Sequence, residues 1–354
     1  REWERIYPNR TMAAHVLGYS NIDGIGQAGL EREMNKRLSD PKRIDQPLAL
    51  ALDTRVQHTL VRVLAKQIEK HSAIGGAGVV LDARTGEVLA MTSLPVFDPN
   101  APGQGTADAR FNRATYGVYE LGSTFKTLTM AMAMESDVVT SLSQAYDARH
   151  PLKVGRFRIN DDHPQARWLT VPEIFMHSSN IGTAQIAEEI GAARQQKYLR
   201  ALGLLDPLDI EVAERGAPLK PDNWGKISTM TISYGHGLAV SPLHIAAAYA
   251  AVVNGGIYRQ PTLLKLGLDD TPPGRRVFSQ ETSDTMRRML RLVVTKGTGS
   301  KANADGYRVG GKTGTAEKPK NGGYARKSLV TNFAGVFPMD DPRYVVIAML
   351  DEPK

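Results

Sequence analysis

The distance between its β-forming segments is what most limits how this chain can fold. Gly78-Val79-Val80-Leu81-Asp82 and Glu87-Val88-Leu89-Ala90-Met91-Thr92 flank a short Ala83-Arg84-Thr85-Gly86 link and read as a hairpin, with Gly86 where the turn needs a positive φ. The other β-formers lie past residue 306, in Tyr307 to Ala316, Leu329 to Phe337 and Tyr344 to Leu350, separated by turn clusters. Between the two sets the pattern is helical. The expectation is one mostly antiparallel sheet built from both parts of the chain, with a long helical insertion packed on it. That is an α/β fold of the α+β type.

The helical signals are specific. Asp53 to Lys70 carries Val56, Leu60, Val63, Leu64 and Ile68 on one side, with Asp53-Thr54 as a start signal. Pro95 to Gly105 is a Pro/Gly-rich loop that leads into a run of helix formers after Gly122. Leu169 to Leu202 is helical with a break near Ser178-Ser179-Asn180, and Thr229 to Gly237 is rich in hydroxyls and glycine. Pro242 opens a helix that runs to Val253 and closes at Asn254-Gly255-Gly256. Ser283 to Thr295 is amphipathic. Residues 1–45 are polar and glycine-punctuated, with a short charged helix from Leu30 to Leu38. They are too few to form a core alone and read as part of an accessory region beside a main domain over residues 46–354.

Composition removes several classes of function. With 354 residues, 42% of them hydrophobic, the chain can bury a large core. Lys and Arg number 44 against 37 Asp and Glu, a net charge of +7 that suits an anionic partner or membrane surface without selecting one. The aromatics are spread out, without the basic-aromatic pattern of single-strand nucleic-acid binding. There is no cysteine, which excludes disulfides, thiolate metal sites and cysteine nucleophiles. The eight histidines lack an HExxH-type spacing, so no metal site is expected. The longest apolar run, Ile245 to Val253, is far short of a membrane span. Lacking an initiator methionine, the chain reads as a fragment of a longer protein.

Three short stretches carry chemistry. Ser123 and Lys126 are three apart at the start of the helix after Gly122, so their side chains share a face. A serine hydroxyl needs a base to become a nucleophile, and lysine serves if burial lowers its pKa. Phe125, Leu128 and Met132 supply the apolar surroundings. Alone the pair is weak evidence, since a helix-capping serine beside an unrelated lysine is the commoner occurrence. The same spacing recurs at Ser39 and Lys42, where Pro41 spoils a helix interior. Ser178-Ser179-Asn180 and Lys312-Thr313-Gly314-Thr315 follow in order. A nucleotide P-loop pattern, Gly306 to Thr313, overlaps the third stretch, but polar residues precede it and Pro319 and Gly322-Gly323 follow, where a strand and a helix are required.

Together the three stretches match the motif set of the penicillin-recognising serine enzymes, with Ser-Ser-Asn in place of Ser-Asp-Asn. In that set Ser178 would pass a proton between Lys126 and a leaving amine, and Asn180 would hold Lys126 and a substrate amide. Lys312 would add positive potential beside Ser178, Thr313 and Thr315 would meet a substrate carboxylate, and Gly314 would permit close approach to the strand. The backbone N–H groups of Ser123 and Thr315 would form the oxyanion hole.

The chain resembles the class B penicillin-binding proteins, and among them the septal peptidoglycan D,D-transpeptidases of Gram-negative bacteria. Further shared stretches are Tyr7-Pro8-Asn9-Arg10, His15-Val16-Leu17-Gly18-Tyr19, Leu52-Asp53-Thr54-Arg55-Val56-Gln57, Thr85 to Met91, and Tyr234-Gly235-His236-Gly237 with Ser241-Pro242-Leu243. The resemblance implies a transpeptidase domain on an N-terminal pedestal, of which residues 1–45 are part. It also implies a single inner-membrane anchor outside this fragment and a periplasmic catalytic domain. No cofactor is implied. The implied ligands are stem peptides ending in D-Ala-D-Ala and β-lactam antibiotics, and the implied partners are a septal glycosyltransferase and other divisome proteins. Tyr234 to Gly237 is a candidate for the cleft wall or a structural turn.

Three alternatives stay open at this point. A serine β-lactamase needs a carboxylate to activate water, and Glu211 and Glu214 lie in the interval, neither with an asparagine four residues on. A D,D-carboxypeptidase differs only in using water as acceptor. A penicillin-binding sensor or divisome scaffold would be acylated without turnover.

Overall fold

Two parts of the chain more than 200 residues apart meet in one sheet. A computed structural model describes residues 5–43, 45–267, 270, 272–320 and 323–354. Its strands are β1 (Gly75–Asp82), β2 (Val88–Leu94), β3 (Gly310–Lys320), β4 (Gly323–Phe337) and β5 (Tyr344–Asp351). They lie in the order β2-β1-β5-β4-β3, and every neighbouring pair is antiparallel. The long-range pairing sets Gly75 opposite Asp351 and Asp82 opposite Tyr344. Gly86 has φ +81° in the β1–β2 link, as its place in the turn predicts. Strand β3 starts at Gly310 rather than Tyr307, because Ala304 and Tyr307 bridge each other in a turn.

Every residue of β1 is buried, since helices cover both faces of the sheet. Helix α1 (Thr54–Lys70) packs on β1 and β2, starting at Asp53, whose carboxylate accepts from the N–H groups of Arg55 and Val56. Its Leu60, Leu64 and Ile68 reach the backbone at Gly76 and Gly78, where any side chain on the strand would collide with them. The buried stripe centres on Gln57 and Leu64, so Val63 falls on the rim and is 48% exposed, contrary to the sequence pattern.

The insertion contributes α2 (Phe125–Glu135), α3 (Val171–Met176), α4 (Asn180–Ile190), α5 (Ala192–Ala201), α6 (Lys226–Ser233), α7 (Pro242–Val253) and α8 (Gln280–Lys296). All twelve residues of α7 are buried against β1 and β5. An apolar helix of this kind needs closed ends, and Ser241 caps it by accepting from His244 N–H, with Pro242 next in line. Helix α6 was not legible as a helix, because Ile227, Thr229, Thr231 and Ile232 are weak helix formers. Packing against α4 overrides that preference. The short helix expected from Leu30 to Leu38 divides at Met34 into Gly29–Glu33 and Asn35–Leu38.

The N-terminal residues dock on this body. Val16 and Leu30 join its core. The buried Gln57 amide donates to Met12 O at 2.7 Å and Met91 O at 2.9 Å, and accepts from Met91 N–H at 2.8 Å. No helix among the described residues is long and apolar enough to cross a membrane.

The turn Leu121 to Ser123 is wedged between β3 and the turn Tyr234 to Gly237. Gly122 N–H donates to Gly235 O, and the side chain of Asn332 on β4 donates to Leu121 O. At Gly122, φ +58°, a Cβ would stand 2.2 Å from Thr315 O. At Gly235 it would stand 2.0 Å from Gly122 O, and at Gly314 it would stand 2.3 Å from Leu121 O. Three chain segments thus touch backbone to backbone.

Replacing Gln57 with Leu keeps the volume but removes the side-chain partner of two buried backbone groups of Met91 and of the part-buried Met12 O. Denaturant unfolding is expected to show a loss of about 2–4 kcal/mol. Val63→Ala, on the exposed rim of the same helix, is expected to change stability by less than about 0.5 kcal/mol.

Candidate active site

The half-buried Ser123 sits in a 3₁₀ turn, Gly122–Thr124, that feeds directly into α2. Phe125 through Ala133 are all buried, so α2 is a core helix and not a surface one. The hydroxyl of the fully buried Tyr249 on α7 donates to Thr124 O at 2.8 Å and meets Thr127 Oγ1 at 2.7 Å, pinning the first turn.

Lys126 is carried into this interior and has no exposed surface. Its Nζ contacts Ser178 O, Ser178 Oγ at 3.1 Å and Asn180 Oδ1 at 2.7 Å. Burial lowers its pKa to about 7, against the opposing pull of Asp161 and Asp162. The three acceptors do not include Ser123. The i,i+3 spacing brings the two residues onto one helical turn, while the lysine itself is held by the neighbouring turn between α3 and α4.

That turn is built around Ser178. The N–H of Ser178 bonds to Phe175 O and the N–H of Ser179 to Ile174 O, the paired bonds of a Schellman helix end. Glycine is the usual occupant of the left-handed position in such an end, yet here Ser178 takes it with φ +61°. A non-glycine residue there stores roughly 1–2 kcal/mol of strain. The strained turn aims the Ser178 hydroxyl between two lysines. Lys312 Nζ on β3 lies 2.9 Å from Ser178 Oγ and is as deeply buried as Lys126. Burial, followed by the charge of Lys126, pushes its pKa well down.

Proton counting allows two charge states of Lys126. Ser178 O and Asn180 Oδ1 can only accept, and the Asn180 amide is oriented by its Nδ2 donating to Asn160 O at 2.9 Å. A protonated Lys126 has three N–H groups for Ser178 O, Ser178 Oγ and Asn180 Oδ1, whereas a neutral one donates to two of them and can accept the Ser178 hydroxyl proton. Lys312 then donates to the same Ser178 oxygen. The result is a chain of exchangeable protons from Lys312 through Ser178 to Lys126.

The other predicted residues gather around it. Thr313 Oγ1 pairs with Thr298 Oγ1 at 2.9 Å, a partner the sequence did not suggest, and Thr315 is exposed on the edge strand β3. The backbone N and O of Thr315 lie 3.0 and 2.2 Å from where a Cβ on Gly122 would be, so the Thr315 backbone borders the Ser123 turn. Tyr234 to Gly237 abuts that turn from the other side. Gly237 N–H donates to Glu120 Oε1, the Tyr234 and His236 rings are 5.5 Å apart, and burial together with Lys126 lowers the His236 pKa. Asp161 was not identified from sequence. It accepts from Ser179 Oγ at 2.8 Å and from Ile181 N–H at 2.9 Å. Its signal, an acid at a helix N-terminus, is hidden by the 18 residues that separate it from Ser179.

The two carboxylates that a β-lactamase reading would require are engaged elsewhere. Glu211 accepts from Thr262 Oγ1 and Leu263 N–H, and Glu214 from Gly29 N–H. The P-loop reading also lacks its helix, since Lys312 and Thr313 lie inside a strand that runs to Lys320.

Residues 76–354 match the family model for the penicillin binding protein transpeptidase domain. The chain is 42% identical over 364 residues to the probable peptidoglycan D,D-transpeptidase FtsI of Caulobacter vibrioides, covering 99% of this chain and 61% of that protein. It is 31% identical over 380 residues to the peptidoglycan D,D-transpeptidase FtsI of Escherichia coli, covering 100% of this chain and 63% of that protein. It therefore spans somewhat less than two thirds of the length of these relatives. The solved structure of penicillin binding protein 3 from Mycobacterium tuberculosis, complexed with aztreonam, superposes with a TM-score of 0.90 at 30% identity, covering 99% of this chain and 84% of that one. With the family model matched over residues 76–354 and relatives of 30% identity or more along nearly the whole chain, the chain belongs to the penicillin-binding protein transpeptidases.

Proposed function

We propose that this chain is the catalytic portion of a septal peptidoglycan D,D-transpeptidase that works through an acyl-enzyme on Ser123. One observation carries the reading: the Ser178 hydroxyl held between the buried amines of Lys126 and Lys312, one helical turn from Ser123. The septal role draws on the FtsI names of the relatives.

In the first half-reaction Ser123 Oγ attacks the penultimate D-alanine carbonyl of a stem peptide while neutral Lys126 takes its proton. The tetrahedral oxyanion is met by the N–H groups of Ser123 and Thr315, each worth roughly 3 kcal/mol. Ser178 gives its proton to the departing amine as the C–N bond breaks, and Lys126 restores that proton. Terminal D-alanine leaves. In the second half an amine from a neighbouring stem peptide attacks the ester, forming the cross-linking amide and returning the proton to Ser123. Thr313 and Thr315 receive the substrate carboxylate, Lys312 supplies positive potential beside Ser178, and Asn180 holds Lys126 and the donor amide. β-Lactams place their ring carbonyl in the same position and leave an ester that resists release. The buried carboxylate beside the Ser178 turn, Asp161, is engaged by Ser179 Oγ and Ile181 N–H, which favours an amine acceptor and a long-lived drug adduct. Membrane anchoring, a periplasmic location and partnership with a septal glycosyltransferase and other divisome proteins belong to the same proposal.

Intact-mass measurement after incubation with a penicillin is expected to show one persistent adduct, mapped to Ser123 and absent in Ser123→Ala. A folded protein with no adduct, or one that turns the drug over rapidly, overturns the reading. Acylation requires neutral Lys126, so its rate should fall by about tenfold per pH unit below a midpoint near pH 7. Lys126→Arg, which cannot deprotonate, should lose on the order of 10²-fold or more in acylation rate, and should also lose stability because its permanent charge is buried. In Gly235→Ala the new methyl group must push the Ser123 turn aside, and a loss of about 10²-fold in acylation rate is expected from the same assay.

A further inference from the structure

The segment that enters the site from outside the three motifs is Asn160-Asp161-Asp162, which follows a small exposed hairpin. Ile159, just before it, is buried against Ala184 and Met230, so the segment is anchored on α4 and α6. Asp161 itself is 8% exposed. Its two carboxylate oxygens reach different parts of one turn, Oδ2 accepting from Ser179 Oγ and Oδ1 from Ile181 N–H. Next to it, Asn160 O accepts from Asn180 Nδ2. Ser179 Oγ completes the junction by accepting from Gly182 N–H at 3.0 Å, as the N-cap of α4. The residues on both sides of Ser179 are those that hold Lys126 Nζ.

We propose that Asp161 is a positioning residue for the acylation chemistry, holding the Ser178–Asn180 turn in place and supplying the negative charge that balances Lys126 and Lys312. This rests on the reading of Ser123 as the acylated nucleophile and Lys126 as its base. The site contains two buried lysines, and its polar groups are otherwise neutral hydroxyls and amides. Around Lys126, the charged and titratable groups are Lys312 from β3, His236 from the turn after α6, and Asp161 and Asp162 from this segment. Of the two acids Asp161 is the buried one, where screening by water is weakest, and Asp162 is exposed. Burial and the second lysine disfavour a proton on Lys126, whereas Asp161 favours it. The balance keeps Lys126 able both to be neutral before Ser123 attacks and to hold the Ser123 proton until it passes to Ser178. A carboxylate nearer to Nζ would form an ion pair and remove the base. Held one residue away, through Ser179, it acts by field alone.

Two nearly isosteric variants separate charge from position. In Asp161→Asn the amide oxygen can still accept from Ile181 N–H and the amide N–H can donate to Ser179 Oγ, so the turn survives while the charge goes. In Ser179→Ala the charge stays while the bond to Asp161 and the cap bond from Gly182 N–H are both cut. The readout is the rate of Ser123 acylation by a penicillin from pH 5 to 9, on protein checked for native unfolding behaviour. Removing the charge makes Lys126 easier to deprotonate, so the acid limb of Asp161→Asn should move to lower pH by roughly one unit. The Ser179→Ala limb should stay where the wild type has it, with a plateau rate at least about tenfold lower. An acid limb unmoved in Asp161→Asn, or moved equally in Ser179→Ala, overturns the charge role. A wild-type plateau rate in Ser179→Ala overturns the positioning role, and that arm stands even if Asp161→Asn does not fold. If the wild-type protein is not acylated at Ser123 at all, the failure lies with the functional reading and not with Asp161.

Discussion

Two lysine amines removed from water and turned toward one hydroxyl are the constraint on which this structure depends. Each buried ammonium would cost several kcal/mol if it stood alone. Lys126 and Lys312 are tolerated because Ser178 O, Ser178 Oγ, Asn180 Oδ1 and Thr313 O stand ready as acceptors, and because burial lowers both pKa values. The same desolvation that the fold must absorb is what makes a lysine usable as a base near neutral pH. Stability is given up at the position where reactivity is gained.

The scaffold that enforces this comes from opposite ends of the sequence. Lys126 rides on α2, buried nearly throughout and pinned by Tyr249 from α7. Lys312 rides on β3, the strand farthest from the β1–β2 hairpin. The two amines meet at Ser178 because β5 pairs with both β1 and β4, which fixes β3 relative to the helices lying on the sheet. A shift of one residue in any of these registers would turn the side chain of Lys312 to the opposite face. Backbone contact at Gly122, Gly235 and Gly314 leaves no room for such slippage near Ser123.

Much of this was legible in the residues. Alternating and β-branched runs gave the strands, and the separation of those runs implied closure from both parts of the chain. The Ser-x-x-Lys, Ser-Ser-Asn and Lys-Thr-Gly stretches gave the residues that the structure brings together. What escaped was whatever depends on a partner distant in sequence. Asp161 looks like an ordinary loop acid until Ser179 and Ile181 are placed against it. Thr298 becomes part of the site only through Thr313. The rim position of Val63 depends on where the stripe around Gln57 and Leu64 meets β1, which helical periodicity alone does not fix. Helix α6 was missed because tertiary packing outweighs the poor propensity of its threonines and isoleucines. The spacing of Ser123 and Lys126 indicated proximity, but it could not show that the lysine is bonded to a different turn.

That last point bears on why Ser178 is a serine at all. A Schellman end is satisfied best by glycine, and glycine at residue 178 would relieve the left-handed strain. It would also delete the one oxygen shared by Lys126 and Lys312, leaving two buried amines to repel each other with nothing between them. The fold therefore keeps a residue whose backbone is unfavourable because its side chain is indispensable. It offsets the strain with paired helix-end bonds on one side and the Ser179 cap of α4 on the other. A strained turn braced by two helix ends is stiff, and stiffness keeps the Ser178 hydroxyl within hydrogen-bond reach of both lysines.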